Sequence, residues 1–158
     1  MTTSDRGGMA SANSSKTMPR RVLILCTGNS ARSQMAEGLL RHLGGGAALE
    51  VHSAGTKPAG LNPLAVEALR EIGLDISAQR SKSVEEFSGQ RFDTVITVCD
   101  SAAESCPVFP GAPQRIHWSL PDPAAVAGAP AEKLGAFRQV RDSLDTLLRG
   151  FLHSFTKA

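Results

Sequence analysis

Short apolar runs alternate with amphipathic stretches along this chain, and no other feature constrains the fold as tightly. Arg21 to Leu25 reads as a short apolar strand of the kind found at the centre of a parallel sheet. Met35, Leu39, Leu40 and Leu43 then recur at helical spacing, and Gly44 to Gly46 stop that helix. Leu49 to Ala54 is a second strand. Asn62-Pro63 supplies an N-cap and a first-turn proline for a helix whose buried stripe is Leu64, Ala68, Leu69 and Ile72, with Gly73 at its end. Thr94 to Val98 and Arg115 to Trp118 are the third and fourth strands. From about Ala131, the residues Leu134, Phe137, Val140, Leu144, Leu147, Leu148, Phe151 and Phe155 mark a long amphipathic helix. This order predicts an α/β fold, a three-layer sandwich with a central four-stranded parallel sheet and helices on both faces.

The 158 residues suffice for one domain with a real core. Residues 1–19 are rich in Ser, Thr, Gly and Ala, lack periodicity and read as a disordered tail; residues 20–158 read as a single domain. A formal charge of +2 and the lack of a dense Lys/Arg run argue against nucleic acid as a partner. No apolar run approaches the roughly 20 residues that span a bilayer, and the N-terminus has no apolar signal region. The expectation is a cytoplasmic protein acting as a monomer.

In an open α/β sheet, ligands bind outside the carboxyl ends of the strands. Cys26 and Cys99 each follow a strand, so both belong at that edge. Between Cys26 and Arg32 the chain holds only Thr27, Gly28, Asn29, Ser30 and Ala31. Small residues let successive N–H groups curl into an anion-binding nest, and the following helix adds its free N–H groups and positive dipole end. Arg32 can grip two oxygens with its planar fork. The same field favours a thiolate at Cys26, and Ser33 can donate a hydroxyl hydrogen bond to the sulfur. Such a loop binds a tetrahedral oxyanion and aims a nucleophile at its central atom, without distinguishing phosphate from a phosphate mimic. Three cysteines are too few for a disulfide scaffold. Cys99 and Cys106 are, on spacing alone, either redox-active or inert thiols. They are poorly spaced for zinc, and no metal site is expected.

The segment CTGNSARSQMAEG resembles the Cys-x5-Arg-Ser loop of low-molecular-weight protein tyrosine phosphatases and of the thioredoxin-coupled arsenate reductases built on that fold. The resemblance covers roughly Arg21 to Phe155 and implies a low-molecular-weight phosphatase-like domain. Both groups place an Asp-Pro late in the chain, and Asp122 in SLPDPAA matches that aspartate, whose implied task is to protonate the leaving oxygen. An aspartate before proline is also a common turn opener. Phosphatases usually follow the Asp-Pro with an aromatic residue; Ala124 and Ala125 stand here, and the chain has no tyrosine. That favours a small inorganic substrate over a phosphotyrosine ring.

TVCDSAAESCPVFP resembles the redox segment of the thioredoxin-coupled reductases. Reduction of arsenate needs two electrons, and no flavin or nicotinamide fingerprint is visible, so no cofactor is expected. The resemblance implies a thiol relay. Cys26 attacks arsenate with Asp122 as acid; Cys99 attacks the Cys26 sulfur and releases arsenite; Cys106 then attacks Cys99, and thioredoxin reduces the resulting disulfide. The polar, small residues from Asp100 to Ser105 would rearrange to bring Cys106 to Cys99. Arsenate is the implied substrate, with phosphate or sulfate as analogues. The competing readings are a phosphatase using Cys26, Arg32 and Asp122 alone, with the other thiols idle, and a thiol-based arsenite or redox sensor.

Some reductases of this family bind potassium beside the loop. Asn29 and Glu37 fit two of the ligand positions, but the neighbouring segment QRSKS carries Arg80 and Lys82 where oxygen ligands belong. The expectation is that the Lys82 ammonium, paired with Glu37, takes the place of the ion. His117, next to Trp118 on a strand, reads as a packed or surface residue without a catalytic role.

Overall fold

The computed structural model describes residues 19–45 and 48–157, the last three of these by backbone alone. The expected tail, apart from Pro19, lies outside the described residues, as do Gly46 and the side chain of Phe155. Four strands, β1 (Arg20–Cys26), β2 (Leu49–Gly55), β3 (Thr94–Thr97) and β4 (Gln114–His117), pair in parallel in the order β2-β1-β3-β4. Helices α1 (Arg32–Leu43), α2 (Pro63–Arg70), α3 (Asp100–Glu104) and α4 (Pro130–Lys157) connect or follow them, with short 3-10 turns at Val84–Phe87 and Pro123–Ala125.

β1 is central because its residues can be buried on both faces. Side chains alternate across a strand, yet Leu23, Ile24, Leu25 and Cys26 are all buried, so the sheet is covered on each side. α1 packs on β1 and β2 and against α4, which contributes the buried Phe137, Val140, Leu144 and Leu148. α3 rests on β1 and β3. Phe92 makes edge contacts with Phe87 and Phe109, closing a small aromatic cluster beside His52. β4 is an edge strand with largely exposed side chains.

One expectation about α2 is corrected. Its buried stripe runs through Ala65, Ala68 and Leu69 with Leu64 half-buried, whereas Ile72 is 46% exposed. The helix stops at Arg70, and Gly73 turns the chain at φ 85°. The N–H of Leu74 reaches back to Leu69 and that of Gly73 to Arg70, the paired bonds of a glycine C-cap. Ile72 therefore sits in the cap, where the helical period no longer sets its direction. At the other end Asn62 caps as expected, its side chain accepting from the N–H of Leu64. The helix α3 was not legible as an element: five polar and small residues carry no periodicity.

Candidate active site

The carboxyl end of β1 delivers Cys26, and residues 27–31 turn back to start α1 at Arg32. The carbonyls of Thr27, Gly28 and Ser30 face outward and accept from the N–H groups of Lys57, Ala59 and Asn62. In a trans peptide the next N–H points the opposite way, so those of Gly28, Asn29 and Ala31 face the interior of the loop. The N–H of Asn29 reaches the Cys26 sulfur at 3.2 Å. Asn29 takes φ 46°, a left-handed conformation that asparagine tolerates better than most residues, and is fully buried.

A chain of hydrogen bonds runs from the sulfur to the far side of α1. The Asn29 side-chain amide donates to Ser33 Oγ at 2.8 Å and to Ser53 Oγ at 2.9 Å. Ser33 Oγ lies 2.8 Å from Cys26 Sγ, a distance at which the hydroxyl can donate to a thiolate. Ser53 donates to Glu37 Oε1 at 2.5 Å. Asn29 Oδ1 accepts from the N–H of Lys82 at 2.8 Å and from Gln34 Nε2 at 3.0 Å. Glu37 is buried and forms ion pairs with Arg41 and, at 3.7 Å, with Lys82. Burial pushes the Lys82 ammonium below the usual lysine range, an effect that Glu37 opposes. The expected Lys82–Glu37 pairing is present; Arg41 and Ser53 are additions that no sequence motif signalled. Among the described residues no group of His, Cys, Asp and Glu side chains is arranged to hold a metal ion.

Asp122 comes from far along the sequence, in the segment that follows β4 at the same carboxyl edge of the sheet. It caps the 3-10 turn Pro123–Ala125 by accepting from the N–H of Ala124 at 3.0 Å. The turn-forming and site-lining roles of this aspartate coexist, because a cavity of about 260 Å³ is lined by Cys26, Thr27, Gly28, Ala31, Arg32 and Asp122, among others. Arg32 is held toward that side by a 3.0 Å bond to the Leu120 carbonyl. A larger cavity, about 650 Å³, lies behind α1 with Glu37 and Lys82 in its wall and no cysteine. Its size does not make it the reactive site.

The other two thiols lie at different depths. Cys99 is buried at the start of α3, and Thr27 Oγ1 is 3.3 Å from its sulfur. Cys106, beyond the other end of α3, is half-buried and accepts from Arg115 Nη1 at 2.8 Å. All three cysteines are free thiols. The structure thus gathers Cys26, Arg32 and Asp122 around one cavity and sets Cys99 against the loop, while Cys106 stands apart. His117 is exposed on the edge strand, as the surface reading expects, and it also bridges Asp100 Oδ1 at 2.9 Å and Thr97 Oγ1 at 2.8 Å. Its hydrogen bond holds the Asp100 carboxyl below the usual range.

A four-stranded parallel sheet whose first strand leads through a small-residue loop from Cys26 to Arg32 defines an α/β protein of the phosphatase-like class. Residues 21–158 match the low molecular weight phosphotyrosine protein phosphatase family, and the chain belongs to it. Within that family it is similar to an arsenate reductase of Halalkalibacterium halodurans, 44% identical over 131 residues that make up 82% of this chain and 93% of the relative. A solved arsenate reductase in the phosphate-binding state superposes with TM-score 0.69 at 32% identity, covering 85% of this chain and 98% of the other. The thioredoxin-dependent arsenate reductase of Corynebacterium glutamicum does so with TM-score 0.66 at 29% identity, over 87% of this chain and 62% of that one.

Proposed function

We propose that this chain is an arsenate reductase of the cytoplasm that uses Cys26 as nucleophile and Cys99 and Cys106 to carry the electrons out to thioredoxin. The observation that carries the reading is the position of Cys99: its sulfur touches Thr27, the residue after the nucleophile, so a second thiol stands beside a complete oxyanion loop. Hydrolysis has no use for it.

Arsenate sits in the loop with its oxygens toward the inward N–H groups and the fork of Arg32. Cys26 Sγ attacks arsenic, an S–As bond forms, and one oxygen departs as water after taking a proton from Asp122. Cys99 Sγ then attacks Cys26 Sγ. An S–S bond forms, the S–As bond breaks, and its electron pair stays on arsenic, which leaves as arsenite. Cys106 next attacks Cys99 and frees Cys26. Six residues lie between Cys99 and Cys106, five of them helical, and seven steps at a helical rise of 1.5 Å span about 10 Å. A disulfide needs Cα atoms within about 7 Å, so α3 unwinds in this step. An external dithiol of the thioredoxin type takes up the disulfide.

A second reading has its own support in the family match: Cys26, Arg32 and Asp122 alone are enough for phosphate monoester hydrolysis. Coupled consumption of NADPH with arsenate, thioredoxin and thioredoxin reductase separates the two. Turnover in the wild type that vanishes in Cys99→Ser and in Cys106→Ser supports the relay. Aryl phosphate hydrolysis that survives loss of both thiols, without arsenate turnover in the wild type, identifies a phosphatase instead.

A further inference from the structure

The segment between Cys99 and Phe109 packs on the sheet through Ala102 and is held at its ends by polar contacts. Only Ala102 of the five α3 residues is buried. Beneath the helix, a cavity of about 160 Å³ is lined by Thr97, Ala103, Cys106, Arg115 and His117. At the first end, His117 Nε2 meets Asp100 Oδ1 at 2.9 Å. At the second, the guanidinium of Arg115 forks: Nη1 donates to Cys106 Sγ at 2.8 Å and Nη2 to the Pro107 carbonyl at 3.0 Å. Arg115 and His117 are two apart on β4 and so share one face of that strand. The edge strand therefore grips the redox segment at both ends, and at one of them it grips the reacting sulfur itself.

We propose that Arg115 sets the redox poise of the Cys99–Cys106 pair. The proposal rests on the relay reading given above. The fork fits Cys106 only where the reduced segment places it, beyond the far end of an intact α3. Forming the Cys99–Cys106 bond draws that sulfur toward Cys99 and converts it from thiol to a poorer acceptor, so the contact is lost. An interaction made only in the dithiol form destabilises the disulfide relative to it, which makes the disulfide a stronger oxidant. Arg115 thereby biases the exit disulfide toward accepting electrons from the external dithiol, and the reduced enzyme toward staying reduced between substrates.

The test is a redox titration of the full-length chain carrying Cys26→Ala, which confines the chemistry to Cys99 and Cys106. Buffers of reduced and oxidised dithiothreitol set the poise. The protein S–S bond forms as the S–S bond of oxidised dithiothreitol breaks, and two electrons and two protons pass to the dithiothreitol. Acid quench, alkylation and mass spectrometry count the disulfide. Arg115→Ala is expected to raise the equilibrium constant for disulfide formation about fivefold, the scale of one hydrogen bond lost from the reduced form alone. That equals a potential lower by about 20 mV, at about 30 mV per tenfold change. Arg115→Lys, which keeps the charge but not the fork, is expected to fall between. An unchanged constant, or a shift toward the dithiol, overturns the proposal while leaving the relay intact. If no Cys99–Cys106 disulfide forms in any variant at the most oxidising poise, the relay reading falls and this proposal with it.

Discussion

Thr27 Oγ1 lies 3.3 Å from the sulfur of Cys99, across 72 positions of sequence. The loop proposed to bind the oxyanion thus also lies against the second thiol, because β1 and β3 are neighbours and both end at the same edge. Replacing Thr27 by Val keeps its shape and removes the hydroxyl. Arsenate turnover is expected to fall about fivefold, the size of one hydrogen bond, and Thr27→Ser to restore it. Because Cys26 chemistry alone does not use this contact, hydrolysis of an aryl phosphate should stay within about twofold of wild type in the same preparations. Stopped-flow turnover beside steady-state hydrolysis checks the split.

Gly55, at the end of β2, leaves no room for a side chain. A Cβ there would stand 2.5 Å from the Thr27 carbonyl oxygen and 2.8 Å from the Asn29 nitrogen, both backbone atoms of the loop. Gly55→Ala is expected to weaken phosphate binding at least tenfold and to destabilise the fold by about 1–3 kcal/mol, as overpacking does. Gly28→Ala, whose Cβ meets only side chains at 3.5 Å, is expected to unfold at nearly the wild-type temperature. Calorimetric titration with phosphate and thermal melts compare the pair.

Lys82 faces the carboxylate that ends the hydrogen-bond chain from Cys26, and its burial lowers its pKa. As pH rises, this ammonium loses its proton before an ordinary lysine would, and Glu37 keeps only Arg41 as a cationic partner. The rate is therefore expected to fall on an alkaline limb that begins below the usual lysine range. Lys82→Met should lower kcat/KM several-fold and remove that limb. A pH–rate profile of both proteins measures it.

Glu71 joins the end of α2 to α4 through Arg138 and Arg141. The Arg138 hydrogen bonds are the main reason its carboxyl is lowered to about 2 from the usual 4.5. A depressed carboxyl contributes stability that is complete above its unfolded-state value and is lost as pH falls toward its folded-state value. Thermal unfolding midpoints should drop between about pH 5 and pH 2. Glu71→Gln should lie below wild type at pH 7 and converge with it at the acid end.

What could be read from the residues alone was what short stretches of chain decide. The strand Arg20–Cys26, the small-residue loop and the helix opening at Arg32 are contiguous, so their chemistry follows from local order. The cap at Asn62 and the apolar stripe of α4 were legible for the same reason. Ile72 misled because periodicity says which face of a helix is buried but not at which residue a glycine cap ends it. α3 and the grips of Arg115 and His117 left no trace, since exposed polar residues on an edge strand carry no pattern that names a partner.

Apolar spacing along 158 residues was enough to specify an α/β sheet whose strand ends carry a cysteine and an oxyanion loop. Folding decided which distant groups reach that loop. Asp122 lines its cavity, Ser53 and Glu37 extend the hydrogen-bond chain behind Asn29, and Cys106 rests on Arg115. Hydrogen bonds and ion pairs act over about 3 Å, here between atoms that are not neighbours in sequence. Only the parallel pairing of the strands, with the chain returning over the sheet between them, brings those atoms within range.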